Sequence, residues 1–263
     1  MKITNIKKLK PKKLIVFDLD GTLVPTKSPM DREMTKLITK LLDTKKVAII
    51  GGGKYQVFQK LFIKQLSGSK ANLQNLFLFP TTSTAFYRYN KGWKKVYSRG
   101  LSKANRDKIK QTFKQVFAEI GYEHPKKTYG HVIEDRGTQV TFSALGQDIV
   151  TVLGMKGVTL KDKWKQENTP TKLKIAKLMA KYLPNLEVRA AGHTSVDVTG
   201  KGIDKAYGLR QIEKYLKVKI KDMLFIGDAI FPGGNDYAVT KTKVDYIKVS
   251  DPEATKKLIK HLI

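Results

Sequence analysis

Two aspartates one residue apart close an apolar run in the segment LIVFDLDGTLVPT at residues 14–26. Asp20 and Gly21 fit a strand leaving into a turn. Asp18 does not, because it falls inside the apolar run, where a lone carboxylate is costly unless its charge is compensated. A second carboxylate so close adds repulsion, since two neighbouring acids do not both ionise cheaply. A divalent cation resolves both problems. The segment MLFIGDAIFPGGNDYAV at 223–239 repeats the pattern: an apolar strand runs into Asp228, and a glycine-rich loop follows with Asn235 and Asp236. Alone, that loop reads as an ordinary turn. Together the clusters offer oxygen ligands without histidine or cysteine, a donor set suited to magnesium.

Something must hold these groups at one place, and the alternation of apolar runs with amphipathic stretches supplies it. KLIVFDLD, KVAIIGGG and DMLFIGD read as buried strands, and DREMTKLITKLLD, KYQVFQKLFIKQL, DKAYGLRQIEKYL and PEATKKLIKHLI as helices. NLEVRAA and SVDVT read as further strands near the carboxyl end. This is the pattern of an α/β core with a parallel sheet, and such sheets bind ligands at the carboxyl ends of their strands, where both aspartate clusters fall. Between the halves the texture changes to short strands with polar alternation (AFYRYN, KKVYSRG, HVIEDRG, TQVTFSAL) and the helices RDKIKQTFKQVFAEIGY and TPTKLKIAKLMAKYL. The expected organisation is a core at 1–83 and 188–263 with an inserted antiparallel α+β domain at 84–187.

Composition limits what the site serves. With 51 basic against 23 acidic residues the formal charge is +28, which invites a nucleic-acid partner. Yet only seven of the basic residues are arginine, and the lysines are spread along the chain, on the polar faces of helices such as PTKLKIAKLMAKYLP. A solvated lysine face that steers small anionic substrates is the expectation, with nucleic acid disfavoured. The absence of cysteine excludes disulfides and thiolate chemistry and fits a reducing compartment. The start MKITNIKKLKPKK lacks the apolar core of a secretion signal, and no apolar run approaches membrane-spanning length. A cytoplasmic protein without membrane contact, monomeric or homodimeric, is expected.

The chain resembles the haloacid dehalogenase superfamily of phosphotransferases through four motifs in order: DLDGT at 18–22, IIGGG at 49–53, Lys205, and GDAIFPGGND at 227–236. The spacing, with IEDRG, TSVDVTGKGIDK and PGGND, is similar to the branch holding eukaryotic phosphomannomutase and related sugar phosphatases, with a Rossmann-like core and an inserted cap. The resemblance implies that Asp18 is the nucleophile, forming an aspartyl phosphate, and Asp20 the acid and then base. It implies that Thr22, Gly52, Gly53 and Lys205 bind the phosphoryl group, and that Asp18, the Asp20 carbonyl, Asp228, Asn235 and Asp236 hold Mg2+. Ser195 and Asp197 match sugar-phosphate contacts. His193, beside Gly192, reads as a loop residue rather than a ligand.

The chain departs from the family pattern at two places. The second motif ordinarily carries a serine or threonine, here replaced by Gly51, Gly52 and Gly53, so one phosphate-binding hydroxyl is missing. Of the mutase arginines that grip the far phosphate, Arg136 is present, Gln147 and Gly154 stand at two other positions, and Lys27 replaces the one after the first motif. A mutase must hold a bisphosphate, which needs a bidentate clamp, whereas a phosphatase binds one phosphate and admits water. The expected function is therefore a magnesium-dependent phosphatase acting on a phosphorylated sugar or similar small metabolite. The alternatives are a phosphomutase and a binding protein on a catalytically weakened fold.

Overall fold

The computed structural model describes residues 9–25 and 28–263, which divide into two compact units, one made of the described residues up to Ser98 with Asp204–Ile263, and the other Arg99–Ile203. The first unit is built on a seven-stranded sheet of order β11-β10-β1-β2-β3-β4-β5. Its strands are β1 (Leu14–Asp18), β2 (Lys46–Ile50), β3 (Leu76–Phe79), β4 (Ala85–Tyr89), β5 (Trp93–Ser98), β10 (Met223–Gly227) and β11 (Asp245–Lys248). The first three, β10 and β11 run parallel, while β4 and β5 add an antiparallel edge.

Central strands covered on both faces must be apolar throughout, and β1 is buried at every position. Its side chains alternate between two cores. Ile15 and Phe17 pack with Met34, Ile38, Phe58 and Ile259 of the helices on one face, and Leu14 and Val16 with Leu209 and Ile212 of the helix Lys205–Leu216 on the other. Helix starts are set by side-chain caps: Asp31 accepts from the Met34 N–H, Asp204 from Tyr207 and Asp251 from Ala254.

The second unit has a four-stranded antiparallel sheet of order β6-β7-β9-β8, from β6 (Ile133–Asp135), β7 (Val140–Ser143), β8 (Leu186–Ala191) and β9 (Ser195–Gly200). One face carries Val140, Phe142, Val196 and Val198 against the helices Lys103–Ile120 and Met155–Tyr182. The other presents the alternate residues, among them Thr141, Arg189 and Asp197.

The units meet at 98/99 and 203/204 rather than at 83/84 and 187/188. Polar alternation in β4 and β5 suggested the inserted domain, but they are the antiparallel end of the first sheet, β4 paired with β3 and β5 lying at the edge, where one side can be wet. NLEVRAA and SVDVT, expected in the core, pair antiparallel with each other in the second sheet. The strand β3, the short β11 and the start of the long helix at Met155 had not been anticipated. That helix runs through Pro170, which reads locally as a beginning because it lacks a donor.

Candidate active site

The first unit gathers its acids at the carboxyl ends of two adjacent strands. Asp18 is the last residue of β1, beside Ile50 of β2, and Asp228 follows the end of β10. The loop after β10 returns Asp236 to the same place, and the carboxylates of Asp18, Asp228 and Asp236 lie within 4.8 Å of one another. Two glycines make this approach possible. A Cβ on Gly21, whose φ is +84°, would sit 2.8 Å from Asp228 Oδ2, and one on Gly227 only 2.3 Å from Asp236 Oδ2. Asp236 is fixed further by the Ala229 N–H, 3.1 Å from its Oδ2.

Lys205 enters from the first position of the helix Lys205–Leu216 and is 2% exposed. Its ammonium donates to Asp18 Oδ1 and Asp236 Oδ1 and lies 5.7 Å from the centre of the Phe225 ring. Burial works against this charge, but the two carboxylates more than offset it and hold Lys205 above the ordinary lysine range. Burial drives the Asp18 carboxyl well above its usual range; Lys205 opposes that, while Asp236 and Asp228 add to it. Burial also raises Asp228, with Asp236 and Asp20 contributing repulsion. Three acids facing one ammonium leave an excess of negative charge, which is the arrangement a divalent cation relieves. The donor set fits Mg2+.

Asp20, two residues after Asp18, is half-buried, and its carboxylate is not among the three clustered ones. Asn235 is also half-buried, beside Asp236. Thr22 is fully buried, and its hydroxyl has no hydrogen-bond partner among the described residues, an orphan a bound oxyanion would satisfy. The loop of Gly51, Gly52 and Gly53 follows β2. The carbonyls of Gly51 and Gly53 accept from the N–H groups of Thr82 and Thr81, both at 2.9 Å. Those donors belong to a turn in which Thr81, Thr82 and Ser83 all have positive φ (48°, 55° and 67°), a conformation costing non-glycine residues on the order of 1 kcal/mol each. Nothing in the local sequence marks PTTS as this brace.

The remaining anticipated residues belong to the second unit, save Lys27, which lies outside the described residues. Arg136 Nε bonds Glu134 Oε2 at 2.8 Å, and its Nη2 donates to Gln147 Oε1 at 3.0 Å. Ser195 opens β9, opposite Ser143 and Ala191. Asp197 is buried and accepts from Thr141 Oγ1 at 2.7 Å; Thr141 in turn accepts from Gln139 Nε2 at 2.8 Å. Arg189 is the cross-strand partner of Asp197 and donates to Thr199 Oγ1 at 2.9 Å. The polar row of Thr141, Arg189 and Thr199 was not singled out in the sequence, although the alternation in VTFS, LEVRAA and SVDVT contains it. His193 has an acidic neighbour after all, Asp162 Oδ1 at 2.7 Å from Nδ1, brought by the long helix rather than by nearby sequence.

The family profile described as haloacid dehalogenase-like hydrolase matches residues 15–239, a span running from the first strand past Asp236. The chain belongs to that family. Among curated relatives of this family member, the phosphomannomutase of Saccharomyces cerevisiae is 26% identical over 262 residues, covering 97% of this chain and 96% of that protein. The phosphomannomutase of Encephalitozoon cuniculi is also 26% identical, covering 93% and 91%. Among solved structures, the Plasmodium falciparum IMP-nucleotidase superposes with a TM-score of 0.72 at 19% identity, over 98% of this chain and 70% of that one. The Aspergillus fumigatus trehalose-6-phosphate phosphatase gives 0.55 at 15%, covering 100% and 97%. These structural likenesses concern the haloacid dehalogenase fold. Among the described residues, no helix is long and apolar enough to cross a membrane.

Proposed function

We propose that this haloacid dehalogenase-like protein is a metal-dependent phosphatase that hydrolyses a phosphorylated sugar or similar small metabolite through an aspartyl phosphate on Asp18. The observation that carries the reading is the buried Asp18, held by Lys205 at a strand end and accompanied by Asp228 and Asp236. Asp18, Asp228 and Asp236, with Asn235 beside them, would hold Mg2+, which supplies positive charge that lets an anionic nucleophile approach an anionic phosphate.

In the first half-reaction a carboxylate oxygen of Asp18 attacks phosphorus and the ester P–O bond breaks. The leaving oxygen takes the proton of the Asp20 carboxyl. In the second, Asp20 accepts a proton from water as that water attacks phosphorus; the Asp18–phosphate bond breaks, inorganic phosphate leaves, and Asp20 is again protonated. Lys205 opposes the rise that burial imposes on the Asp18 carboxyl and offsets charge on the transferring group. Thr22 and the Gly52 and Gly53 backbone are the phosphoryl-oxygen donors in this reading. Arg136, Ser195, Asp197 and Lys27 are its contacts to the rest of the substrate.

Hydrolysis is preferred to transfer within the substrate because the Arg136 guanidinium is already committed to Glu134 and Gln147, the latter standing where a mutase has a second arginine. The mutase reading is favoured by a different observation, the curated phosphomannomutases that match over nearly the whole chain. The absence of cysteine supports a cytoplasmic, reducing location. Phosphate release from a panel of sugar mono- and bisphosphates, with magnesium and with chelator, tests the reading. Metal-dependent release abolished in Asp18→Asn supports the phosphatase, isomerised product without release establishes the mutase, and silence from folded protein rejects both.

A further inference from the structure

Three consecutive glycines, Gly51, Gly52 and Gly53, have no side chain with which to hold their own conformation, and glycine loses more freedom on ordering than any other residue. The loop they form leaves β2 at Ile50, the register partner of Asp18, so it starts beside the strand end that carries the nucleophile. What fixes it comes from elsewhere in the chain. The N–H groups of Thr82 and Thr81 donate to the carbonyls of Gly51 and Gly53, both at 2.9 Å.

The turn that offers these donors is itself tied from three sides. Thr84 donates to the Thr81 carbonyl through its Oγ1 at 2.9 Å and its N–H at 3.1 Å, and its hydroxyl also meets Thr81 Oγ1. Tyr97 of β5 donates its hydroxyl to the Ser83 carbonyl at 3.0 Å. Ser83 is wholly buried and seated on Gly208, where a Cβ would come within 2.4 Å of Ser83 Oγ. Gly208 lies in the first turn of the helix that opens with Lys205. These ties keep Thr81, Thr82 and Ser83 at φ of 48°, 55° and 67° without a glycine among them. Such residues stay left-handed only where their surroundings over-determine them, and conformations of this kind gather at binding and catalytic sites. One buried turn thus touches both the glycine loop and the helix of Lys205.

We propose that the turn Thr81–Ser83 is a positioning element for phosphoryl binding, setting the shape of the glycine-only loop in place of the side chain missing from its second motif. The two carbonyl bonds fix two peptide planes of the loop, and a fixed plane aims its N–H together with its C=O. A backbone held in this way binds an oxyanion without first being ordered, whereas an unbraced glycine chain would lose that entropy on binding. The loop's task rests on the phosphatase reading. The threonines of the turn are positioning residues and touch no substrate.

The test follows the loop in the full chain. Glycine labelled with 13C at the carbonyl and 15N at the amide allows selection of the glycine-to-glycine amides, which are those of Gly52, Gly53 and Gly234. Gly233→Asn removes the third from the selected spectrum and so identifies it. With magnesium present, inorganic phosphate is expected to shift the Gly52 and Gly53 amides saturably. Thr84→Val keeps the side-chain shape and leaves the Thr81 carbonyl its N–H donor, but removes the hydroxyl ties. It is expected to weaken phosphate binding about tenfold and to lower kcat about tenfold, within the range that misplacing a binding group costs. Adding Thr81→Gly, which holds φ +48° without a tie, is expected to restore both. Thr255→Val, the loss of another buried threonine hydroxyl, on the helix Pro252–Leu262, should change neither. Loop amides indifferent to phosphate, parental binding in Thr84→Val, or a loss that the glycine does not restore overturns the role. Turnover by the parent separates this from the phosphatase reading. Its absence, with the binding changes as expected, rejects the phosphatase while the positioning role stands; its presence, with binding and kcat unaltered in Thr84→Val, rejects the positioning role alone.

Discussion

The Lys205 ammonium donates to Asp18 Oδ1 across 187 positions of sequence, in a place where both side chains are almost wholly buried. Removing the lysine leaves a cluster of acids with no counter-charge. Lys205→Met is expected to destabilise the metal-free protein by about 3–5 kcal/mol, the range for breaking a buried ion pair, and to abolish turnover. The double variant with Asp236→Asn should recover part of the stability but none of the activity. Urea unfolding of the three proteins checks this; an additive double variant would contradict the coupling.

Thr22 separates fold from function cleanly. Its buried hydroxyl meets no hydrogen-bonding group among the described residues, so Thr22→Val should leave unfolding midpoints unchanged or raise stability by about 1 kcal/mol. Loss of a phosphoryl-oxygen donor should lower kcat by roughly ten- to a hundredfold. Equal kcat in the two proteins would remove Thr22 from the site.

The glycine-only loop limits the rate if a hydroxyl is wanted there. A Cβ at Gly53 would lie 3.0 Å from Val57 Cβ, so Gly53→Ser alone should cost about 1–2 kcal/mol from crowding. Paired with Val57→Ala, which keeps the Cβ but removes the Cγ1 that is also 3.0 Å away, the serine is less crowded, and kcat is expected to rise about tenfold. Steady-state rates of the double variant against Val57→Ala alone make the comparison.

Gln147 now holds one end of Arg136. Gln147→Arg should release the Nη2 end of that guanidinium, still held by Glu134 at Nε, and provide a second, strengthening inhibition by sugar bisphosphates about tenfold while leaving monophosphate KM nearly unchanged. Unaltered bisphosphate inhibition would show that this position does not face a distal phosphate.

Lys172 carries a pH signature. Its ammonium loses its proton near 8 in the folded chain and only in the ordinary lysine range, around 10.5, when unfolded. Between those values the unfolded state holds more protons, so folding stability contributed by Lys172 rises with pH across that window and is lowest below it. In phosphate-free buffer, the stability of the native chain relative to Lys172→Gln should therefore increase from pH 8 to pH 10. A flat difference would show that the lysine is not buried in solution.

The reading from sequence was sharpest where physics is local. Asp18 betrayed itself by interrupting an apolar run, and strand and helix periods placed both acidic clusters at strand ends. It was weakest where local and tertiary signals diverge. AFYRYN alternates because it belongs to the antiparallel end of the first sheet, where one face is partly wet, not because it belongs to another domain, and Pro170 resembles a helix start although the helix passes through it. The brace at Thr81–Ser83 escaped notice because its left-handed backbone carries no glycine to announce it.

By itself, then, the sequence determined the parallel core, the order of its motifs and the pair Asp18 and Asp20, because apolar runs and side-chain periods are properties of a few consecutive residues. The family resemblance had already named Lys205, Asp228 and Asp236; only the tertiary structure decided that the Lys205 ammonium would bond both Asp18 and Asp236, that Arg136 would be tied to Gln147, and that Lys161 and Lys172 would be buried. Each of those depends on contacts between segments far apart in the chain, where burial and the sum of neighbouring charges, not residue type, set what a side chain can do.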